Sequence, residues 1–221
     1  MKKPTTPSIM YQPGTSIMLA GVSFTILADF GPVDVDDTEH DLFILANKSQ
    51  GCCIFDSKTN NYTTSELKEQ VDAWLYTFTE NMAYLELDER LIRPRTLDLT
   101  TLDGHGKYGC LTVHAAPLTL DEFRRHSRLI PNNFWDEADA FWLSTGWGTT
   151  APASIDDRFA LTYFPNGSLG NTRIENMHSF HPALVISSLL LLPRATKKPK
   201  IDLSKVPTQQ LLDELHNRTK N

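Results

Sequence analysis

Ser16-Ile17-Met18-Leu19-Ala20-Gly21-Val22-Ser23-Phe24-Thr25-Ile26-Leu27 divides into two strand-like runs that meet at Ala20-Gly21. In the second run Val22, Phe24 and Ile26 alternate with Ser23, Thr25 and Leu27, the period of a β-strand with one face buried. Two further apolar runs follow, Leu42-Phe43-Ile44-Leu45-Ala46 and Cys52-Cys53-Ile54-Phe55. Asn47 to Gly51 joins them with the polar, glycine-ended chemistry of a hairpin loop. The N-terminal part of the chain therefore reads as antiparallel β-structure.

The pattern then changes period. Thr63-Thr64-Ser65-Glu66 has the spacing of a capping box with Thr63 as the cap, and Leu67, Val71, Trp74, Leu75 and Phe78 follow at helical intervals. A second box, Thr119-Leu120-Asp121-Glu122, opens a shorter helix through Phe123 that stops before Pro131. Between them, Arg93 to Ala116 reads as irregular, with one strand near Leu111-Thr112-Val113. Strands return at Phe141-Trp142-Leu143-Ser144. Arg158–Phe164 and Ser168–Thr172 then face each other across Pro165-Asn166-Gly167, a strong hairpin signal. His181 to Ile186 is apolar enough for a last strand buried on both faces.

Composition and charge bound the function. At 221 residues and 40% hydrophobic content the chain can build a core, and three cysteines cannot staple it. The start lacks a signal-peptide pattern, and Ala183 to Pro193 is too short to span a bilayer. The expectation is a soluble protein made in a host cytoplasm and not secreted by a signal peptide. From Arg194 onward seven Lys/Arg stand against three acids, which leaves 14 basic and 24 acidic residues in 1–193. A body at −10 repels a phosphate backbone, so nucleic acid is not expected as a partner. The expected division is a domain over 14–193 and a flexible basic tail over 194–221. The tail ends in a short helix, 208–217, whose Leu211, Leu212 and Leu215 would dock on another subunit or a virion partner.

Several stretches, taken in order, carry a family resemblance. They are Phe55 to Ser65 with its Asn60-Asn61-Tyr62, Asp98 to Gly104, Tyr108-Gly109, Leu118 to Arg125, Ile130-Pro131, Phe141 to Thr145, and His181-Pro182-Ala183-Leu184. Their order and spacing resemble a domain family of unknown function common in phages and prophages of Gram-positive bacteria and in some bacterial surface proteins. The chain departs from it where an Arg-Pro is His181-Pro182 and where Phe141 precedes Trp142. If that Arg anchors a loop in relatives, His181 would do so as a weaker, pH-dependent donor. The family is itself similar to the C-type-lectin-like and formylglycine-enzyme-like architecture. What the resemblance implies is an α+β fold of antiparallel sheets with two packed helices and a loop-rich binding face.

No enzyme constellation accompanies that fold. Cys52 and Cys53 are adjacent and would point to opposite faces of a strand, Cys110 stands alone, and no Cys follows it as a formylglycine-forming enzyme requires. His178-Ser179-Phe180-His181 lacks a carboxylate pattern for a metal. The acidic run from Asp34 to Asp41 does not fit an EF-hand, and the lectin calcium signatures Glu-Pro-Asn and Trp-Asn-Asp are absent. Asp103-Gly104-His105-Gly106 has no nucleophile elbow beside it. No metal or cofactor is expected.

The segment from Thr145 to His178 is richest in recognition residues. Trp147, Asp156, Asp157, Arg158, Tyr163, Asn166, Asn171, Arg173, Glu175, Asn176 and His178 combine rigid aromatic area with hydrogen-bonding ends. The expected function is a non-enzymatic, phage- or prophage-type module that binds a protein or a cell-surface carbohydrate through this face. The alternative is an intracellular phage accessory protein that binds and modulates a host factor through its acidic body. The first reading expects Trp147, Tyr163 and their neighbours to face water on a shared platform.

Overall fold

The first hairpin forms where the sequence places it. β1 (Ser16–Leu19) and β2 (Val22–Pro32) pair antiparallel, with Leu19 opposite Val22. The two loop residues both take positive φ, Ala20 at 47° and Gly21 at 83°, which suits the twist of a tight hairpin. The computed structural model describes residues 11–33, 39–130, 140–148, 156–164 and 168–192.

β3 (His40–Ala46) continues the sheet, and β13 (Ala183–Ser187) returns from late in the chain to pair with it from Ala183↔Leu45 to Ser187↔Asp41. β5 (Ile92–Arg93) and β8 (Ala115–Ala116) both pair with β13, giving the order β1-β2-β3-β13-β5 with β8 beside β13. A second sheet runs β11-β10-β9-β12-β4, built from β11 (Leu169–Arg173), β10 (Phe159–Tyr163), β9 (Phe141–Gly146), β12 (His178–Ser179) and β4 (Cys52–Cys53). Its β9–β12 pair is parallel; the other ladders are antiparallel. β6 (Arg95–Asp98) and β7 (Cys110–Val113) form a separate two-stranded ribbon in the stretch expected to be mostly irregular.

Two cores lie on opposite faces of these sheets, because side chains alternate along a strand. On β13, Leu184 and Ile186 join the first core and Ala183 and Val185 the second. On β9, Trp142 belongs to the first and Phe141 and Leu143 to the second. β13 is buried at every position, as its unbroken apolar run requires.

α1 (Glu66–Tyr84) covers the first core with Leu67, Val71, Phe78 and Met82. Phe78 meets Phe24 edge-on at 5.8 Å and stacks on Trp74 at 5.1 Å. The helix starts two residues later than its expected cap. Ser65 Oγ accepts from Lys68 N–H, while Thr63 lies in a preceding 3₁₀ turn and its hydroxyl donates to Asn61. Ser65 wins because it is the last residue with extended backbone before the helix. At the other end the Glu86 N–H reaches Ala83 O and the Leu87 N–H reaches Met82 O, a Schellman pair that places Glu86 at φ 57°. α2 (Leu120–His126) has the full capping box expected at Thr119 and Glu122.

Asn60 locks the α1 approach to the second sheet. It is fully buried, donates through Nδ2 to Gly148 O and Phe159 O, each at 2.8 Å, and accepts from the Tyr108 hydroxyl at 2.6 Å. Gly146 makes this approach feasible, since a Cβ there would stand 2.8 Å from the Asn60 side chain. The chain divides into Met1–Leu191 and Leu192–Asn221, two residues before the boundary expected after Pro193. The helix expected at 208–217 lies outside the described residues.

Candidate functional site

The expected recognition platform does not assemble as one surface. Tyr163 is the clearest correction. It is only 8% exposed, with its ring between Phe123 at 4.3 Å and Phe141 at 5.3 Å, and burial raises its phenol pKa. The physical reason is register: Tyr163 shares a strand face with Leu161, and that face packs into the second core. Trp147 is half-buried and packs against the same core. Tyr163 is therefore not free to serve as a flat stacking surface, and Trp147 is only partly so.

The polar members fall into two groups. Arg158 pairs with Glu175, and Arg173 Nε stands 3.9 Å from the same carboxylate. Asn176 donates to Thr172 Oγ1 at 2.7 Å, and His178 Nε2 lies 3.3 Å from that hydroxyl with its ring edge-on to Trp142 at 4.8 Å. Thr172 is opposite Ala160 and Asn171 opposite Leu161, so they project to different faces of the sheet. Asp157 is half-buried beside Arg158 in a single 3₁₀ turn. Asn166 and the side chain of Asp156 lie outside the described residues.

Another concavity lies beside α1. A groove of about 580 Å³ runs between α1 and the segment Glu89–Pro94. Asp72, Leu75, Tyr76 and Thr79 form one wall, spaced so that they share a stripe of α1 beside its buried one. Glu89, Arg90, Ile92, Arg93 and Pro94 lie across from them, with His114 also lining the groove. Tyr76 is 66% exposed and hydrogen-bonds Glu80 one turn on, which raises its phenol pKa. Tyr76 sits just off the core stripe, so the helical period of α1 does not single it out. The usable signal was the second stripe itself, i, i+3, i+4, i+7 from Asp72.

Two smaller concavities are polar. One of about 240 Å³ is lined by Asp98, Thr100, Asp121 and Arg124, the other of about 430 Å³ by Asp56, Lys58, Glu66 and Glu69. Asp98 accepts from the Thr100 hydroxyl and N–H, which holds its carboxyl below the usual range. Among the described residues no group of three or more His, Cys, Asp or Glu stands close enough to hold a metal ion.

The reactive-looking side chains are placed structurally. Cys52 is exposed and Cys53 buried, on opposite faces of β4, and burial pushes the Cys53 thiol up to about 12. His181 is buried with Nδ1 3.1 Å from Ala46 O, and burial pushes it down to about 4. It is thus a neutral donor over the physiological range, which corrects the expected pH-dependent anchor. Asp29 holds His40 Nδ1 at 2.8 Å, and Ser188 lies close by. The serine oxygen accepts from the His40 backbone N–H, so this trio ties the β2–β3 end to the segment after β13. Glu39 and Asp41, from the acidic run, both engage Arg93. Asp34, Asp36 and Asp37 lie outside the described residues.

No family model, no curated protein and no solved structure matches this chain. Among the described residues no helix is long and apolar enough to cross a membrane.

Proposed function

We propose that the chain is a non-enzymatic protein-binding module whose contact face is the groove beside α1. The observation that carries this reading is Tyr76: a large aromatic ring left two-thirds in solvent beside Leu75, Ile92 and Pro94, in a groove of about 580 Å³. Exposed aromatic anchors next to an apolar floor are what protein interfaces use at their energetic centres. Protein is favoured over carbohydrate because, of the aromatic residues expected to stack on a sugar, Tyr163 is packed into the second core and Trp147 is half-buried against it.

The C-type-lectin-like architecture belongs to the same proposal. Its support is the return of β13 to the N-terminal strands with both helices inserted between them in sequence. A phage or prophage origin rests on the motif order alone and draws nothing from the comparisons. A second reading, an accessory protein that occupies a basic site on a host factor, is favoured by the −10 body.

Selection of a displayed peptide library on the protein tests the proposal. The expected result is enriched peptides that lose binding to a Thr79→Arg variant and keep it for Arg173→Ala. Peptides sensitive to Arg173→Ala alone, or enrichment only on a glycan array, would return the contact face to the β10–β11 region.

A further inference from the structure

The groove's own lining is balanced, Asp72 and Glu89 against Arg90 and Arg93, and the charge asymmetry lies along α1 and the segment around it. Residues 66–93 hold seven carboxylates against three Lys/Arg, a surplus of four negative charges along α1 and the segment that follows it. Each of the three cations is already engaged within the chain. Lys68 Nζ is 2.5 Å from Asp72, Arg90 makes a two-point contact with Asp88 at 2.9 and 2.8 Å, and Arg93 binds Glu39 at 2.5 Å. Glu69 and Glu89 have no ion-pair partner among the described residues, and Glu89 lines the groove.

The aromatic wall sits inside this field. Asp72, Tyr76 and Glu80 follow one another at intervals of four, so they stack along one stripe of α1 with the ring between two carboxylates. A ring two-thirds in solvent with anionic neighbours attracts an ammonium or guanidinium by its quadrupole and by Coulomb attraction together. Leu75 on the same wall and Pro94 across from it supply the groove's accessible apolar area. Strand addition at this edge is disfavoured, because β5 has two residues and the adjoining Pro94 has no N–H to donate. An occupant that fits is a helix with one apolar face.

We infer that the α1 groove receives a basic amphipathic helix of a partner protein, with a Lys or Arg side chain laid on Tyr76 and flanked by Asp72, Glu80 and Glu89. The inference rests on the groove being the binding face. The partner helix's apolar side chains would seat on Leu75 and Pro94, and its charge would speed encounter with the acidic surface of α1.

Two synthetic helical peptides test it on the full chain. Both carry Leu at i, i+4 and i+7; one is flanked by Lys and the other has Glu at every Lys position. Titration is followed by amide chemical shifts. The Lys peptide is expected to move the resonances of Tyr76, Thr79, Ile92 and His114, and to weaken as salt is raised. Tyr76→Leu keeps apolar area but removes the π face and weakens binding about two- to fivefold, with its melting temperature read alongside as a folding control. The Glu peptide binds at least about tenfold more weakly, as expected for two or more lost charge contacts. Equal binding of the two peptides in the groove overturns the basic-partner inference and leaves the groove as a contact face. Shifts absent from the groove for both peptides overturn the inference and the binding face together.

Discussion

The Arg95 guanidinium donates to the Glu122 carboxylate, the same carboxylate whose second oxygen accepts the Thr119 N–H and completes the cap of α2. The Arg95 side chain is 6% exposed, donates further to Ala116 O and Pro117 O at 2.9 and 3.2 Å, and lies 5.2 Å from the Phe43 ring. One buried cation therefore ties the β6–β7 ribbon, the turn after β8, the α2 cap and the second core. Removing either partner leaves the other's charge buried or a helix start uncapped. Arg95→Ala is expected to cost about 3 kcal/mol in urea unfolding. A loss below about 1 kcal/mol would mean the pair is effectively solvated.

Among the described residues, two sit in left-handed backbone without being glycine. Ala20 occupies the first hairpin and Glu86 the Schellman position after α1. Ala20→Gly and Glu86→Gly should each stabilise the fold by about 0.5–1 kcal/mol, because the strain they relieve exceeds the entropy glycine adds to the unfolded chain. Thermal unfolding should show a rise of about 1–4 °C for each. A fall in either would place the native side chain in contacts worth more than the strain.

His181 makes stability fall with acid. Its folded value, near 4, lies below the ordinary value of 6.5, so the unfolded chain binds the extra proton first as pH drops. The contribution is full above about pH 6.5 and disappears as pH falls through about 4. His181→Gln keeps a donor for Ala46 O without a titrating group. Its unfolding free energy should lose less than wild type between pH 7 and pH 4, and parallel curves would assign the acid loss elsewhere.

The cysteines should react in order. Cys52 and Cys110 are exposed, whereas Cys53 is buried with its thiol held near 12. A thiol reagent at pH 8 should modify the first two quickly and Cys53 only at the rate of unfolding. Rapid labelling of all three in native buffer would show that β4 opens readily.

Periodicity made most of the fold legible. The Ala20-Gly21 turn, the pairing of β10 with β11, the start of α2 and the buried last strand all follow from local pattern and turn chemistry. What escaped depends on partners remote in sequence. β6 begins with an arginine that hydropathy places outside, and only Glu122 and the Phe43 ring make it a core residue. Tyr163 looks like a surface aromatic until its register beside Leu161 turns it inward. Tyr76 is its mirror image, an aromatic on a core helix left outside by one position. The motif around Asn60, quoted for a family resemblance, is here a packing device: a buried amide, a buried Tyr62 ring and the Ser65 cap.

Photocrosslinking from position 76 tests the central claim most directly. A benzophenone side chain placed there in the full chain, with a second protein labelled at position 173 for comparison, is irradiated in an extract of the native cell, and the joined peptide is sequenced by mass spectrometry. The account predicts adducts from position 76 to a peptide with surplus Lys and Arg and apolar residues at helical spacing, lost when Thr79→Arg closes the groove. Adducts from position 173 alone, or to an acidic peptide at position 76, would contradict it.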